Sequence, residues 1–227
     1  MVKRFFAFLL MTIMVATIAL PAPAFAAEGV SERQQRKKIE AQKYPNQAQE
    51  ALNANNPDLA IELFTKAINS HAFDDQPDAM GNLYFGRGNA HRRKSDWTAA
   101  IADYTKALEF TKKGDIYFSR AACYLELKQD DLALADIDAA IKTDPDAVSY
   151  RSARCIMLFN RKDFAGALPD CEKALAATPN DKNLLTATAQ SAEQTGNAQR
   201  AAELYRRLLA ADPGNPIATE GLQRTGS

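Results

Sequence analysis

The sequence predicts an all-α protein, a right-handed α-solenoid of about five helix–turn–helix repeats closed by a short C-terminal capping helix. An alanine returns on a fixed beat at Ala60, Ala100, Ala133, Ala167 and Ala201, at intervals of 40, 33, 34 and 34 residues. Four residues after each stands Phe64, Tyr104, Ile137, Cys171 or Tyr205, and seven after it Ala67, Ala107, Ala140, Ala174 or Leu208. Pro145, Pro179 and Pro213 close the last three copies. A period near 34 with small and bulky residues at helical spacing is the mark of stacked helix pairs.

Within each period a second column supports the reading. Ala48, Gly88, Ala121, Cys155 and Ala189 stand twelve residues before the beat, and Ala51, His91, Tyr124, Leu158 and Ala192 follow three later, clearly bulky only in the third and fourth copies. Small residues let two helices approach closely along one line, and bulky ones fill the space toward the next pair. In these residues the chain resembles the tetratricopeptide repeat family. The resemblance covers residues 46–213, with units at 46–77, 78–113, 114–145, 146–179 and 180–213, and residues 214–227 form a cap and tail. It implies a scaffold whose specificity lies in its groove side chains, and it implies no activity.

The N-terminus reads as a secretory signal. Lys3 and Arg4 precede an apolar run from Phe5 to Leu20, and Ala24-Phe25-Ala26 supplies the small-x-small ending. Cleavage after Ala26, giving a signal at residues 1–26, is favoured over retention as an anchor, although the apolar run approaches spanning length. No cysteine near that junction offers a lipid attachment point. Removal of Lys3 and Arg4 leaves 26 basic against 28 acidic residues in a soluble, exported protein, and a bacterial periplasm is the expected location. With charges so balanced, nucleic acid is disfavoured as a main partner. No stable membrane insertion is expected once the signal is gone.

Residues 27–45 read as a polar linker or solvated helix, with Ser31 and Gln34 as a capping box and Pro45 as its stop. Copy one follows with helices over Asn46–Asn53 and Asp58–Ser70, turned at Asn55-Asn56-Pro57. The six extra residues of the first period fall in the loop His71 to Pro77, read as a solvated connection because two adjacent carboxylates fall far short of a calcium site. Copy two pairs Ala79–Lys94 with Trp97–Phe110, Trp97 being a packing residue. Copy three pairs Ile116–Leu127 with Asp131–Lys142. Copy four pairs Ala147–Asn160 with Phe164–Ala176, where Gly166 and Pro169 predict a helix that starts late or bends. Copy five pairs Asp181–Gln194 with Ala198–Ala211, and Ile217–Arg224 forms a cap turning Ile217 and Leu222 inward.

Catalytic constellations are mostly absent: two histidines make no pair, no metal spacing appears and no Gly-rich phosphate loop is present, so neither an enzyme nor a cofactor or metal is expected. Asp103, Asp136 and Asp170, each three residues after the beat, read as solvated residues on the outer face of the second helices. Of the three cysteines, Cys155 and Cys171 sit at inward-packing places on the two helices of copy four, so they are either a disulfide or, with Cys123, small buried apolar residues.

The family resemblance implies that the first helix of every pair builds a concave wall. It places Phe85, Asn89 and Arg92, Phe118 and Leu125, Ile156 and Phe159, and Gln190 on that wall, an apolar middle rimmed by polar ends. Such a strip suits an amphipathic helix or extended segment of another protein, although some of these rings equally serve as inter-repeat core. One subgroup of the family clamps acidic chaperone tails with lysine, asparagine and arginine. Asn89 matches one of its asparagines, but Phe85, Ser119 and Ala153 stand where the other clamp residues belong. The expected function is therefore an exported, non-catalytic adaptor that holds an unidentified protein segment in its groove. The alternative is a cell-envelope structural or oligomerisation module acting through its outer surface or ends, and a homo-oligomer is compatible with either.

Overall fold

The structure, a computed structural model, describes residues 30–226. The expected signal and its cleavage point therefore lie outside the described residues, as do the side chains of Ser31 and Gln34. The described residues form twelve helices: α1 (Val30–Ala41), α2 (Tyr44–Asn53), α3 (Pro57–Asn69), α4 (Pro77–Arg93), α5 (Trp97–Phe110), α6 (Gly114–Glu126), α7 (Asp130–Thr143), α8 (Val148–Asn160), α9 (Phe164–Ala177), α10 (Lys182–Gln194), α11 (Ala198–Ala211) and α12 (Pro216–Arg224). From α2 to α11 they pack as five consecutive hairpins, each also packed on the next, giving an α-solenoid that α12 caps. No helix among the described residues is long and apolar enough to cross a membrane.

Local chemistry sets each hairpin. The turn residue five before the beat has a left-handed backbone every time, at Asn55, Ser95, Lys128, Lys162 and Gly196. Only the last, with φ 85°, is the glycine that this conformation prefers. The next residue caps the second helix: side chains of Asn56, Asp96, Asp163 and Asn197 accept from backbone N–H groups three residues on, while Gln129 of copy three does not. The five beat alanines are fully buried, as are Tyr104, Ile137 and Tyr205 four residues later. The helix period puts both positions on the stripe facing the paired helix.

Three local expectations are corrected. Pro45 does not stop the preceding segment; it lies in the first turn of α2, where a missing N–H costs nothing. Helix α9 does not start late: it begins at Phe164 and runs through Pro169, whose ring is exposed. In α12 Leu222 packs inward against the core of repeats four and five as expected, together with the buried Ala218 and Gly221, but Ile217 remains 37% exposed. Gly221 lies directly against the Tyr205 ring, so the cap docks through its small residues as well as through Leu222.

Candidate functional site

The first helices α2, α4, α6, α8 and α10 form a wall with a cavity near each end. The cavity between repeats one and two, about 440 Å³, is lined by Pro45, Asn46 and Gln49 of α2, Phe64 of α3, Phe73 of the connecting loop, and Ala79, Asn82, Leu83, Phe85, Gly86 and Asn89 of α4. Phe64 reaches this floor because Gly86 leaves no Cβ in its path. The Tyr104 hydroxyl donates to Asn89 Oδ1 at 2.8 Å, and the Lys113 ammonium donates to Asn82 Oδ1 at 3.3 Å.

At the other end a cavity of about 330 Å³ is lined by Phe159, Asn160, Lys162, Phe164, Gln190, Glu193, Gln194 and Arg224. Phe159 and Phe164 meet edge to face with centroids 5.8 Å apart. Glu193 accepts two bonds from Arg224, at 2.6 and 3.1 Å, and these hold its carboxyl below its ordinary value; the Tyr205 hydroxyl also donates to it. Charged side chains line the cavity at this end, whereas at the first end Lys113 only borders the lining through Asn82.

Between the ends the apolar residues turn partly away from solvent. Phe118 meets Tyr150 at a tilt, with centroids 5.0 Å apart, and packs with Leu125 against the core of repeats three and four. Ile156 and Phe159 pack against the core of repeats four and five. Phe85 leans on Tyr104 at 5.8 Å, and Arg92 is exposed. Of the eight wall residues read from the sequence, Phe85 and Asn89 thus share one cavity, Phe159 and Gln190 share the other, and Arg92, Phe118, Leu125 and Ile156 line neither.

The repeated aspartates are not solvated. Asp103 and Asp136 are 5% exposed and Asp170 is 1% exposed. A position three after a fully buried residue is rotated from it by only about 60° around the helix, which places these carboxylates beside the packed stripe. Arg87 grips Asp103 with two bonds of 2.8 and 2.7 Å, and Arg120 grips Asp136 with the same lengths. Arg154 and Arg151 both engage Asp170, Arg151 at 2.8 Å. Each repeat arginine also reaches back to the preceding repeat: Arg87 to Thr65 at 3.1 Å, Arg120 to Thr105 at 2.9 Å and Arg154 to Asp138 at 2.7 Å. These are structural staples, since every carboxylate is consumed by its guanidinium partner. Their signal was present in the sequence as arginine and aspartate sixteen residues apart in three successive copies.

Cys155 and Cys171 are joined in a disulfide across α8 and α9, with α-carbons 5.0 Å apart. Cys123 is a buried free thiol, and burial pushes its pKa up to about 11 against the opposing pull of Arg92. A further depression of about 1100 Å³ lies off the wall between α1 and α3, where Lys66 pairs with Glu62 and His71 with Asp74.

Comparison with known proteins bears on the same helices. The tetratricopeptide repeat family model matches residues 46–115, 85–148, 124–182 and 156–216 in overlapping windows. The chain belongs to the tetratricopeptide repeat family. Among curated relatives, the Hsp70-Hsp90 organizing protein of Triticum aestivum is 26% identical over 174 residues, spanning 66% of this chain and 29% of that protein. The small glutamine-rich tetratricopeptide repeat-containing protein 2 of Mycosarcoma maydis is 31% identical over 121 residues, spanning 53% and 34%. This chain thus spans about a third or less of the relatives it matches. Among solved structures, YrrB, described as a TPR protein with an unusual peptide-binding site, superposes with a TM-score of 0.66 at 21% identity, covering 87% of this chain and all of that one. MamA from Desulfovibrio magneticus RS-1 superposes at 0.63 and 16% identity, covering 78% and 97%. Both show the fold.

Tetratricopeptide repeats mediate contacts between proteins, which directs attention to the wall rather than to a reaction centre. Four of the eight wall residues named from the sequence line a cavity, and Asn46, Gln49, Phe64, Phe73 and Asn82, which were not named, line the first one beside them. Phe73 had a signal in the extra length of the first period, which was read as a solvated loop. Ala72 is in fact buried and Phe73 half-buried against the core of repeats one and two.

Proposed function

We propose that this protein is an exported, non-catalytic adaptor that holds a segment of another protein along the wall of first helices. The observation that carries the reading is the pair of cavities at the two ends of that wall, each lined by aromatic rings and by carboxamides with unused hydrogen-bonding capacity. Aromatic anchors supply contact area at low entropic cost, and polar neighbours set the register of the bound segment. Phe85, Ser119 and Ala153 stand where a chaperone-tail clamp needs charged or amide groups, which favours a different class of partner from that named for the organizing protein. The disulfide in repeat four supports passage through an oxidising compartment, and the signal-like segment at residues 1–26 points to a bacterial periplasm.

A test compares cross-linked partners of the wild type with those of an Asn82→Arg, Gln190→Arg double variant and of Leu132→Arg on a second helix. Loss of a partner with the wall variant and its retention with Leu132→Arg is the expected result; retention with both ends the wall reading. N-terminal sequencing of the protein from the periplasmic fraction tests export, with Ala27 expected as the first residue. The structural or oligomerisation alternative draws support from Leu59 and Leu132, 41% and 50% exposed at matching places on α3 and α7. It predicts that Leu132→Arg, rather than the wall variant, changes the oligomeric state.

A further inference from the structure

The junction between repeats three and four is built differently from the others. Of the contacts that join one repeat to the next, α7 against α8 is the least close, and α8 leans toward α10 rather than toward α6. The buried side chains show why. The core shared with the preceding repeat takes Met80, Leu83 and Ala90 from α4, and Ile116 and Cys123 from α6. From α8 the buried part of that core takes Met157 alone, because the other buried residue of this helix, Cys155, is joined to Cys171 within its own repeat.

Charge supplies part of what apolar packing leaves out. Asp138 in the middle of α7 receives Arg154 of α8 at 2.7 Å, and Asp131 at the start of α7 receives Arg161, just past the end of α8, at 2.9 Å. The Asp131 side chain is 95% exposed and that of Asp138 42%, so water and salt compete for both pairs. Release of Asp138 leaves repeat four intact, since Arg154 keeps its bond to the buried Asp170. The opposite edge of the junction is tight. Gly114 lies against Thr143 and the Tyr150 ring with no room for a Cβ, Phe118 meets Tyr150 with centroids 5.0 Å apart, and Arg151 donates to the Pro145 carbonyl at 2.6 Å. A junction packed along one edge and tied along the other by exposed ion pairs can turn about the packed edge.

We propose that the solenoid is two bodies, repeats one to three and repeats four and five with α12, hinged at α7 and α8 about the edge at Gly114 and Tyr150. The Asp138–Arg154 and Asp131–Arg161 pairs hold the hinge closed. The cavity at Phe73 and Phe85 lies wholly in the first body, and the cavity at Phe159 and Gln190 wholly in the second. Opening therefore changes the distance between the two cavities without changing either lining, and ionic strength sets how freely the hinge opens. The inference is independent of what the wall binds.

The experiment measures distances between nitroxide labels by double electron–electron resonance on the purified protein, in which the buried Cys123 stays unlabelled. Cysteines replace exposed residues in three pairs: Lys106→Cys with Arg206→Cys spans the junction, while Lys66→Cys with Lys142→Cys and Lys173→Cys with Gln223→Cys each lie within one body. Every variant used must match the wild type in circular dichroism. The distance distribution across the junction is expected to be roughly twice as broad as either internal one. It should broaden further between about 0.05 and 1 M sodium chloride, and likewise when Asp131→Asn and Asp138→Asn are added at low salt, with both internal distributions unchanged. A distribution across the junction as narrow as the internal ones at both salt concentrations overturns the hinge. Equal broadening of all three overturns it as well, because every junction then flexes. A broad distribution that neither salt nor the double change alters overturns the part given to the ion pairs.

Discussion

The three inner repeats and the two outer ones solve the same packing problem with different chemistry. In repeats two to four the residue before the small one is Arg87, Arg120 or Arg154, and the residue three after the beat is Asp103, Asp136 or Asp170. In repeats one and five the same two places hold Gln47 with Leu63 and Thr188 with Leu204. Leu63 and Leu204 are buried in core clusters, and Thr188 is fully buried, with its hydroxyl turned back on the Leu184 carbonyl of its own helix. The hairpin geometry therefore does not require a charge pair. What the inner arginines add is a second reach, to Thr65, Thr105 and Asp138 on the preceding repeat, which fixes how each repeat sits on the last. An apolar contact such as that of Leu204 carries no such directional information.

That contrast is most severely tested by removing one partner. Asp170→Ala leaves Arg151 and Arg154 facing each other without their carboxylate, and a loss of about 3–5 kcal/mol is expected from urea unfolding. The double change Arg120→Met with Asp136→Leu, which gives repeat three an uncharged pair with the leucine that repeats one and five hold at the carboxylate place, is expected to fall within about 1 kcal/mol of wild type. A double variant as unstable as Asp170→Ala would mean that inner repeats cannot use the outer repeats' chemistry.

Reduction of the Cys155–Cys171 disulfide, which spans 16 residues, is expected to cost about 3 kcal/mol, because it returns loop entropy to the unfolded chain. Hydrogen exchange localises the effect: protection should fall first in α8 and α9 and least in α4 and α5, which have the ion pair but no cross-link.

The C-terminal end responds to acid instead. Glu193 is held below its ordinary pKa of 4.5, chiefly by the bonds from Arg224. Because the folded value lies below the unfolded one, the stabilisation is complete above pH 4.5 and disappears as pH falls through the folded value. Exchange protection in α12 should be flat from neutral pH to about 5 and decline below 4.5, and Glu193→Gln should abolish that decline. The smallest effect belongs to the turns. Lys128, left-handed with φ 59°, occupies the place that repeat five gives to Gly196, and Lys128→Gly should raise stability by roughly 0.5 kcal/mol in the same urea assay.

Much of this molecule was legible from residue spacing. The beat alanines, the capping residues and the prolines are local signals that repeat every 34 residues, and they place the hairpins within a few residues of where they lie. Tertiary packing decided what local signals leave open. A position three after a buried residue sits on the border of the packed stripe, and only the arginine arriving from the neighbouring helix makes Asp103, Asp136 and Asp170 interior rather than solvated. In the same way, Phe118, Leu125 and Ile156 have the spacing of wall residues, but the rings and aliphatic chains of the next repeat draw them halfway into the core.

The candidate site shows the division most plainly. Phe85 and Asn89 are placed on the wall by the family resemblance, which assigns that face to the places three before and one after Gly88, and a helix carries such an assignment because it fixes the direction of side chains one turn apart. Phe73 could not be placed in this way, because no helical period fixes where a residue in a lengthened loop points, and only packing against repeats one and two turns it into the cavity. The sequence by itself determined the repeat, its period and its hairpins, since these follow from backbone propensities and side-chain spacing. The tertiary structure alone decided which charges are buried, which cysteines meet and which rings line a cavity, because each depends on side chains brought together from different helices and, for the cavities, from different repeats.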